Sequence, residues 1–297
     1  MALRDFVILV LICLVWAANN IVSKIVVAHW DVPPLFYAAV RFMLVALCTL
    51  PWLLPAPRPT WRLVLVALLM GGGNFALLFI GLKTASPSAA AIVSQLGVPI
   101  TTVLSMLMLG ERVRWRRGLG IALTLAGAMT VMWHGAGLEM SSGLWLVAAA
   151  ALAGSLGAVM MKQMDGVRPL QFQAWVGFTS IWPLAAVSAF IEQDQIPLAL
   201  AAGWPFVGAV AFSALVVSVL AHTFYYGLIQ RYEATLISPL TLMTPLATIA
   251  MGVLITHDHF DARMAIGATL ALVGVLIIAL RPNHVAPLLM AIRNRSQ

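Results

Sequence analysis

The sequence predicts an all-α integral membrane protein of ten transmembrane helices, arranged as two inverted-topology five-helix repeats. Three observations carry that expectation. Hydrophobic residues make up 62% of the 297 and charged residues 9%, where a soluble domain carries about 25% charged residues. Polar groups are therefore too few to cover a water-facing surface. Apolar runs of spanning length fill nearly the whole chain, and landmarks of the first half return near the same spacing in the second.

Crossing the hydrocarbon layer takes roughly 20 apolar helical residues. Ten runs answer that description, at approximately 6–28, 34–54, 62–82, 86–109, 118–134, 143–161, 170–191, 204–229, 234–255 and 262–280. Proline-rich breaks fall between them, as at Asp31-Val32-Pro33-Pro34 and Pro55-Ala56-Pro57-Arg58-Pro59. The first run is expected to remain as a span rather than to be cleaved, because no small-residue cleavage pattern follows a short core. The gaps leave no room for a soluble domain. The expected division is a first repeat over 1–137, a second over 138–281 and a cytoplasmic tail over 282–297. Cys13 and Cys48 lie inside apolar runs and read as small packing residues.

Orientation follows from the basic residues. With the N-terminus in the cytoplasm, thirteen of them face inside, among them Arg4, Arg58, Arg62, the cluster Arg112 to Arg117, Lys162, Arg168, Arg231 and Arg281. Only Lys24, Lys83 and Arg263 fall near the outer side, and Arg41 lies within a helix. Both termini are thus expected inside. The net charge of +7 serves topology and does not mark a nucleic-acid surface.

The repeat is seen best in the stretch from Thr84 to Arg117, which has an echo from Tyr232 to Phe260. Pro245 stands 146 residues after Pro99, and Gly227 the same distance after Gly81. Gly267 and Gly274 follow Gly120 and Gly127 at 147. Each half then has five segments, and an odd number makes the second half run opposite to the first. Inverted repeats of this kind are a mark of secondary transporters, whose site lies near the bilayer midplane between the halves. The charges agree. Glu111 to Arg117 carries four arginines, whereas Asp258 to Met264 carries one arginine, two acids and a histidine.

Leu109 to Met132 (LGERVRWRRGLGIALTLAGAMTVM) resembles the segment that closes each repeat of the EamA family in the drug/metabolite transporter superfamily. The run from Trp16 to Lys24 is similar to that family's tryptophan–asparagine–lysine pattern, and Ala39-Val40-Arg41-Phe42 to its second-helix arginine. The second repeat departs from the pattern. Gly154-Ser155 stands in place of the tryptophan, and Asp258 stands where Glu111 does. The resemblance implies the ten-helix architecture and a bacterial inner-membrane transporter. Within the family, the chain resembles bacterial amino-acid exporters, including exporters of aromatic amino acids.

Several polar residues sit where lipid would penalise them. Trp16, Asn19, Asn20 and Ser23 share one helix face by their spacing. Two amides in a span face protein or a wet cavity, either as interhelical polar glue or as cavity lining. Ser218, His222, Tyr225 and Tyr226 share a face of the eighth segment, with His222 near the bilayer centre. Asn74, Phe75 and Phe79 follow the triple glycine Gly71 to Gly73, which points to close backbone approach, a kink or a ligand-facing surface. Pro99 is expected to free the carbonyl of Gln95, beside Ser94 and Thr102, and Pro245 that of Thr241, near Ser238. These prolines are candidate paired hinges. Arg41, seven residues past Pro34, either plays a structural role or meets a substrate carboxylate. Lys24 and Lys162 read as snorkelling residues.

The ten acids all fall at or near segment ends. Proton coupling would then need His222 or a charge on the substrate, and facilitated export fits at least as well. No phosphate-binding loop, zinc-ligand cluster or nucleophile motif appears, so neither an enzyme nor a cofactor is expected, and His257-Asp258-His259 matches no familiar metal spacing. The expected partners are a small-molecule substrate and the lipid bilayer, with no nucleic acid, and the chain is compatible with a monomer. The expected activity is alternating-access export of small amphipathic metabolites, neutral or aromatic amino acids first. Trp16, Asn19, Asn20, Asn74, Phe79, Gln95, His222 and Tyr225 would line the cavity. The alternatives are a multidrug or other metabolite exporter and, from a different class, a membrane-embedded enzyme or scaffold.

Overall fold

A computed structural model of the chain describes residues 2–109, 115–132, 142–161, 163–164, 166–232 and 240–279. Glu111, Arg112, Arg114, Lys162, Ser238, the junction at 137–138 and the tail over 282–297, on which several of the expectations fall, lie outside the described residues. Among the described residues there is no strand. Numbered in chain order, seven helices are long and apolar enough to cross a membrane. They are α1 (Leu3–His29), α2 (Pro34–Trp52), α3 (Thr60–Thr84), α4 (Pro87–Met108), α6 (Ser142–Met161), α7 (Pro169–Ile191) and α8 (Gln195–Tyr225). Three shorter apolar helices complete the described set: α5 (Gly118–Val131), α9 (Met243–Ile255) and α10 (Ala262–Ile278). Leucines and tryptophans such as Leu11, Leu47, Trp182 and Leu254 stand exposed around the bundle, a surface that lipid tails cover.

Helix starts follow local chemistry. Proline opens α2, α4 and α7 at a position whose N–H has no intrahelical partner. Ser86 caps α4 by accepting from Ala89 N. The eighth run departs from expectation. It begins at Gln195 rather than 204 and bends at Gly203, whose φ of +61° suits glycine alone. Residues 195–202 thus form a separate limb before the apolar run proper.

The helices pair in matched couples. Helix α1 packs on α9 and α8, while α6 packs on α4 and α3; α2 lies on α7 and α5 on α10. Adding five to one helix number and subtracting five from the other turns each couple into its mate. The α5–α10 pair shows why the glycines recur. A Cβ on Gly127 would lie 2.5 Å from Gly267 O and from Ala271 N, and one on Gly120 2.7 Å from Gly274 O. Small residues let these two backbones touch, which is how helices associate where no water drives them together. The triple glycine has the same explanation. A Cβ on Gly71 would lie 2.5 Å from Val176, and Gly72 N–H donates to Ser180 Oγ at 2.8 Å, so this stretch serves close packing on α7.

A turn precedes each proline, but the expected free carbonyls are a correction. Helical geometry lapses at Gln95–Leu96 and at Thr241–Leu242. Gln95 O accepts from Val98 N at 3.1 Å, and Thr241 O from Thr244 N at 3.0 Å. In each case the residue just before the proline supplies a tighter i→i+3 bond, as helices do when the regular donor is missing.

Wide π-helical turns interrupt α1 at Ile25–His29, α3 at Leu69–Gly73 and α8 at Phe212–Ala221. The last two overlap at the offset of 146. Asn74 and His222 each come directly after one of them.

Candidate functional site

Helix α1 brings Trp16, Asn19 and Asn20, α3 brings Asn74, Phe75 and Leu78, and α8 brings Val217 and His222 around one cavity of about 210 Å³. Five residues expected from the sequence thus meet at one void. The polar ones are held by hydrogen bonds that cross helices. Asn74 Nδ2 donates to Ala150 O of α6 at 2.6 Å, and Asn20 Nδ2 to Thr248 Oγ1 of α9 at 3.4 Å. Tyr37 OH lies 2.6 Å from Ser213 Oγ, which donates to Asn19 Oδ1 at 2.8 Å. Three helices are joined by that relay, and Asn19 is used partly as interhelical glue.

The aromatic wall is a stack of partners from both halves. Trp16 faces His222 with ring centroids 5.3 Å apart and meets Tyr225 edge-on at 4.8 Å. The buried Trp16 Nε1–H has no hydrogen-bond partner among the described residues. His222 Nδ1 lies 2.7 Å from Val217 O. A carbonyl only accepts, so Nδ1 carries a proton, and in the neutral ring Nε2 is then the acceptor nitrogen.

Three expected residues stand elsewhere. Phe79 is fully buried and stacks on Tyr37 at 4.9 Å, away from the cavity. The side chain of Gln95 donates to Ala91 O of its own helix at 3.3 Å. Tyr225 backs Trp16 rather than lining the void itself. Leu78 and Val217 were not expected as lining. Leu78 carried a signal, because it follows Asn74 by four residues and shares its face.

A second void of about 60 Å³ adjoins the first through Phe75 and His222, and Phe42, Gln173 and Ser218 also line it. Behind it lies Arg41, fully buried. Its Nη2 and Nε both donate to Ser218 Oγ, at 2.9 and 3.3 Å, and its guanidinium carbon lies 4.1 Å from the Phe75 ring centroid. An arginine at a helix centre costs about 2.5–3.5 kcal/mol on insertion scales, so its placement here needs compensation.

At one end of the bundle, acids of the second half cap helices of the first. Asp258 accepts from Ser88 N at 2.9 Å. Glu192 accepts from Leu35 N at 2.8 Å and from Phe36 N at 2.9 Å. Each carboxylate meets the positive end of a helix dipole. Lys24 lies at the same end. Its Nζ donates to Leu82 O and Ala85 O, both at 2.9 Å, closing the C-terminus of α3.

A model described as the EamA-like transporter family matches residues 5–133 and again 140–280. The chain belongs to the EamA-like transporter family. It is accordingly a multi-pass membrane protein of a bacterial transporter family. Among curated relatives, this EamA-like transporter is 27% identical to a "probable amino-acid metabolite efflux pump" of Salmonella typhimurium, over 93% of this chain and 95% of the relative. A protein of the same description from Escherichia coli K12 is 26% identical over the same shares. An uncharacterized transporter of Bacillus subtilis, YvbV, is 24% identical over 93% of this chain and 91% of its own. A solved crystal structure superposes with a TM-score of 0.64 at 19% identity, covering 93% of this chain and 96% of that one. It shares the fold.

Proposed function

We propose that this EamA-like transporter exports small amphipathic metabolites, neutral or aromatic amino acids first, across the bacterial inner membrane by alternating access. The observation that carries the reading is the cavity where Trp16 and His222, from opposite halves, close on each other beside Asn19, Asn20 and Asn74. Aromatic rings take the apolar side chain, and the amides and His222 hydrogen-bond the polar end. The descriptions of the Salmonella and Escherichia relatives as amino-acid metabolite efflux pumps support the substrate class.

The two halves, residues 1–137 and 138–281, move as inverted five-helix repeats with both termini in the cytoplasm, and the tail over 282–297 lies on that side. The matched helix couples support this arrangement. Pro99 and Pro245 serve as paired hinges. The Asp258–Ser88 and Glu192–α2 ties then lie at the periplasmic end, and opening to that side breaks them. Gln95 sits beside one hinge, and Phe79 and Tyr225 act behind the cavity wall.

A multidrug role is the second reading. Pockets for drug-sized ligands run to about 300–1,000 Å³, and a void of about 210 Å³ favours a smaller cargo. Resistance to toxic amino-acid analogues tests the proposal. Cells overproducing the protein are expected to survive them better, and His222→Ala to reduce that gain. Equal survival with and without the protein across a panel of neutral analogues would sink the reading.

A further inference from the structure

Arg41 is a buried cation with no anion beside it among the described residues. The described acids Asp5, Asp31, Glu192, Asp194, Asp258 and Asp261 lie at helix ends or in the loops beside them, and none forms an ion pair with Arg41 among the described residues. Its nearest company is aromatic: Phe75 at 4.1 Å, Phe42 at 5.7 Å and Phe79 at 5.8 Å from the guanidinium carbon. Its Nη1 is buried and has no hydrogen-bond partner among the described residues.

We propose that Arg41 is the receptor for the carboxylate of the transported solute, screened in this conformation by Phe75 and Ser218. The proposal rests on the reading of the cavity as an amino-acid site and names its acidic subsite. The guanidinium edge formed by Nε and Nη2 is the fork that receives the two oxygens of a carboxylate in parallel. Here both donors converge on the single oxygen of Ser218, at 3.3 and 2.9 Å. One hydroxyl therefore holds the place that two carboxylate oxygens fit better. Ser218 has a second bond to fall back on, since its hydroxyl donates to Ser213 O at 3.1 Å.

The path is short. Ser218, Phe42 and Phe75 line the smaller void, and Phe75 and His222 also line the larger one. A rotation of the Phe75 ring off the guanidinium joins the cation to both. A solute lying across the two voids then puts its carboxylate on Arg41 and its apolar side chain against Trp16. The Arg41–Ser218 bond also ties α2 to the π-helical turn of α8, that is, the first half to the second. A carboxylate that takes the fork from Ser218 loosens that tie, which couples cargo binding to movement of the halves.

The test uses the full chain in lipid nanodiscs and three probes: L-phenylalanine, 3-phenylpropanoate, which lacks the amine, and 2-phenylethylamine, which lacks the carboxylate. The wild type is expected to bind the two acids at least about tenfold tighter than the amine, about 1.4 kcal/mol. Arg41→Gln should erase that ratio while keeping amine binding. Ser218→Ala, which leaves the cation in place and removes its competitor, should tighten both acids severalfold and leave the amine unchanged. A folded Arg41→Gln protein that keeps the acid-to-amine ratio overturns the assignment. If that variant fails to fold, an unchanged acid affinity in Ser218→Ala overturns it instead. Chloride that stabilises the wild type as well as phenylalanine does, with the effect lost in Arg41→Gln, assigns the cation to an inorganic anion and also overturns it. A wild type that binds none of the three probes removes the amino-acid reading itself, and this proposal with it.

Discussion

Trp16 and His222 meet at the cavity wall with ring centroids 5.3 Å apart, one on the first helix of the chain and the other just past the wide turn of α8. Aromatic contacts of this kind contribute about 0.5–1.5 kcal/mol beyond the area they bury. In the proposed site a bound aromatic side chain takes up part of that contact. Trp16→Ala is therefore expected to weaken binding of neutral aromatic amino acids by about tenfold, and Trp16→Phe by less. Equilibrium binding to the purified protein checks both, and equal losses in the two variants would speak against stacking.

Gly154 offers a way to resize the cavity without touching its wall. A Cβ there would lie 2.8 Å from Asn74 Nδ2, the group that donates to Ala150 O. Gly154→Ala should push the Asn74 carboxamide into the void and lower transport of bulky amino acids more than of small ones. The ratio of initial rates for phenylalanine and alanine reads this directly.

The α5–α10 contact should be intolerant of added volume. Gly127→Leu and Gly267→Leu force backbone against side chain, and overpacking of this sort costs about 1–3 kcal/mol. A clear fall in melting temperature is expected for both. Gly118 has open space around its would-be Cβ, so Gly118→Ala on the same helix should melt as the wild type does.

The acid caps at one end of the bundle make a prediction about access. Asp258→Asn keeps the shape of the side chain and removes the charge that faces the start of α4, worth about 0.3–1 kcal/mol. A cysteine placed at buried Ala85 in a cysteine-free background should react faster with an impermeant reagent added to intact cells once Asp258 is neutralised. The same reagent should label a cysteine at His257 and spare one at Arg58, as both termini inside requires.

Much of the site was legible because local geometry carried it. Trp16, Asn19 and Asn20 share a face by spacing alone, and an amide or imidazole in an apolar run has to face protein or a cavity. Phe79 was misplaced for a physical reason. It follows Asn74 by five residues within one regular helix, which turns it off the face that Asn74 and Leu78 share. Gln95 illustrates a different limit. Pro99 removes a donor, as read from the sequence, but the neighbouring Val98 N–H closes the gap through a bond that only coordinates reveal. The packing of Phe75 and Ser218 on Arg41 joins α2 and α3 to α8, far along the chain, and no local pattern announces it. The helical membrane class, by contrast, follows from composition and run length.

Counterflow in reconstituted vesicles tests the export reading most directly. Vesicles carrying the protein and loaded with unlabelled phenylalanine should accumulate labelled phenylalanine from outside, and other neutral amino acids should compete. Empty vesicles should not accumulate it, and the His222→Ala protein should do so weakly. If none of the twenty amino acids, tested singly, drives accumulation above that of empty vesicles, the cavity beside Trp16 and His222 is not an amino-acid transport site.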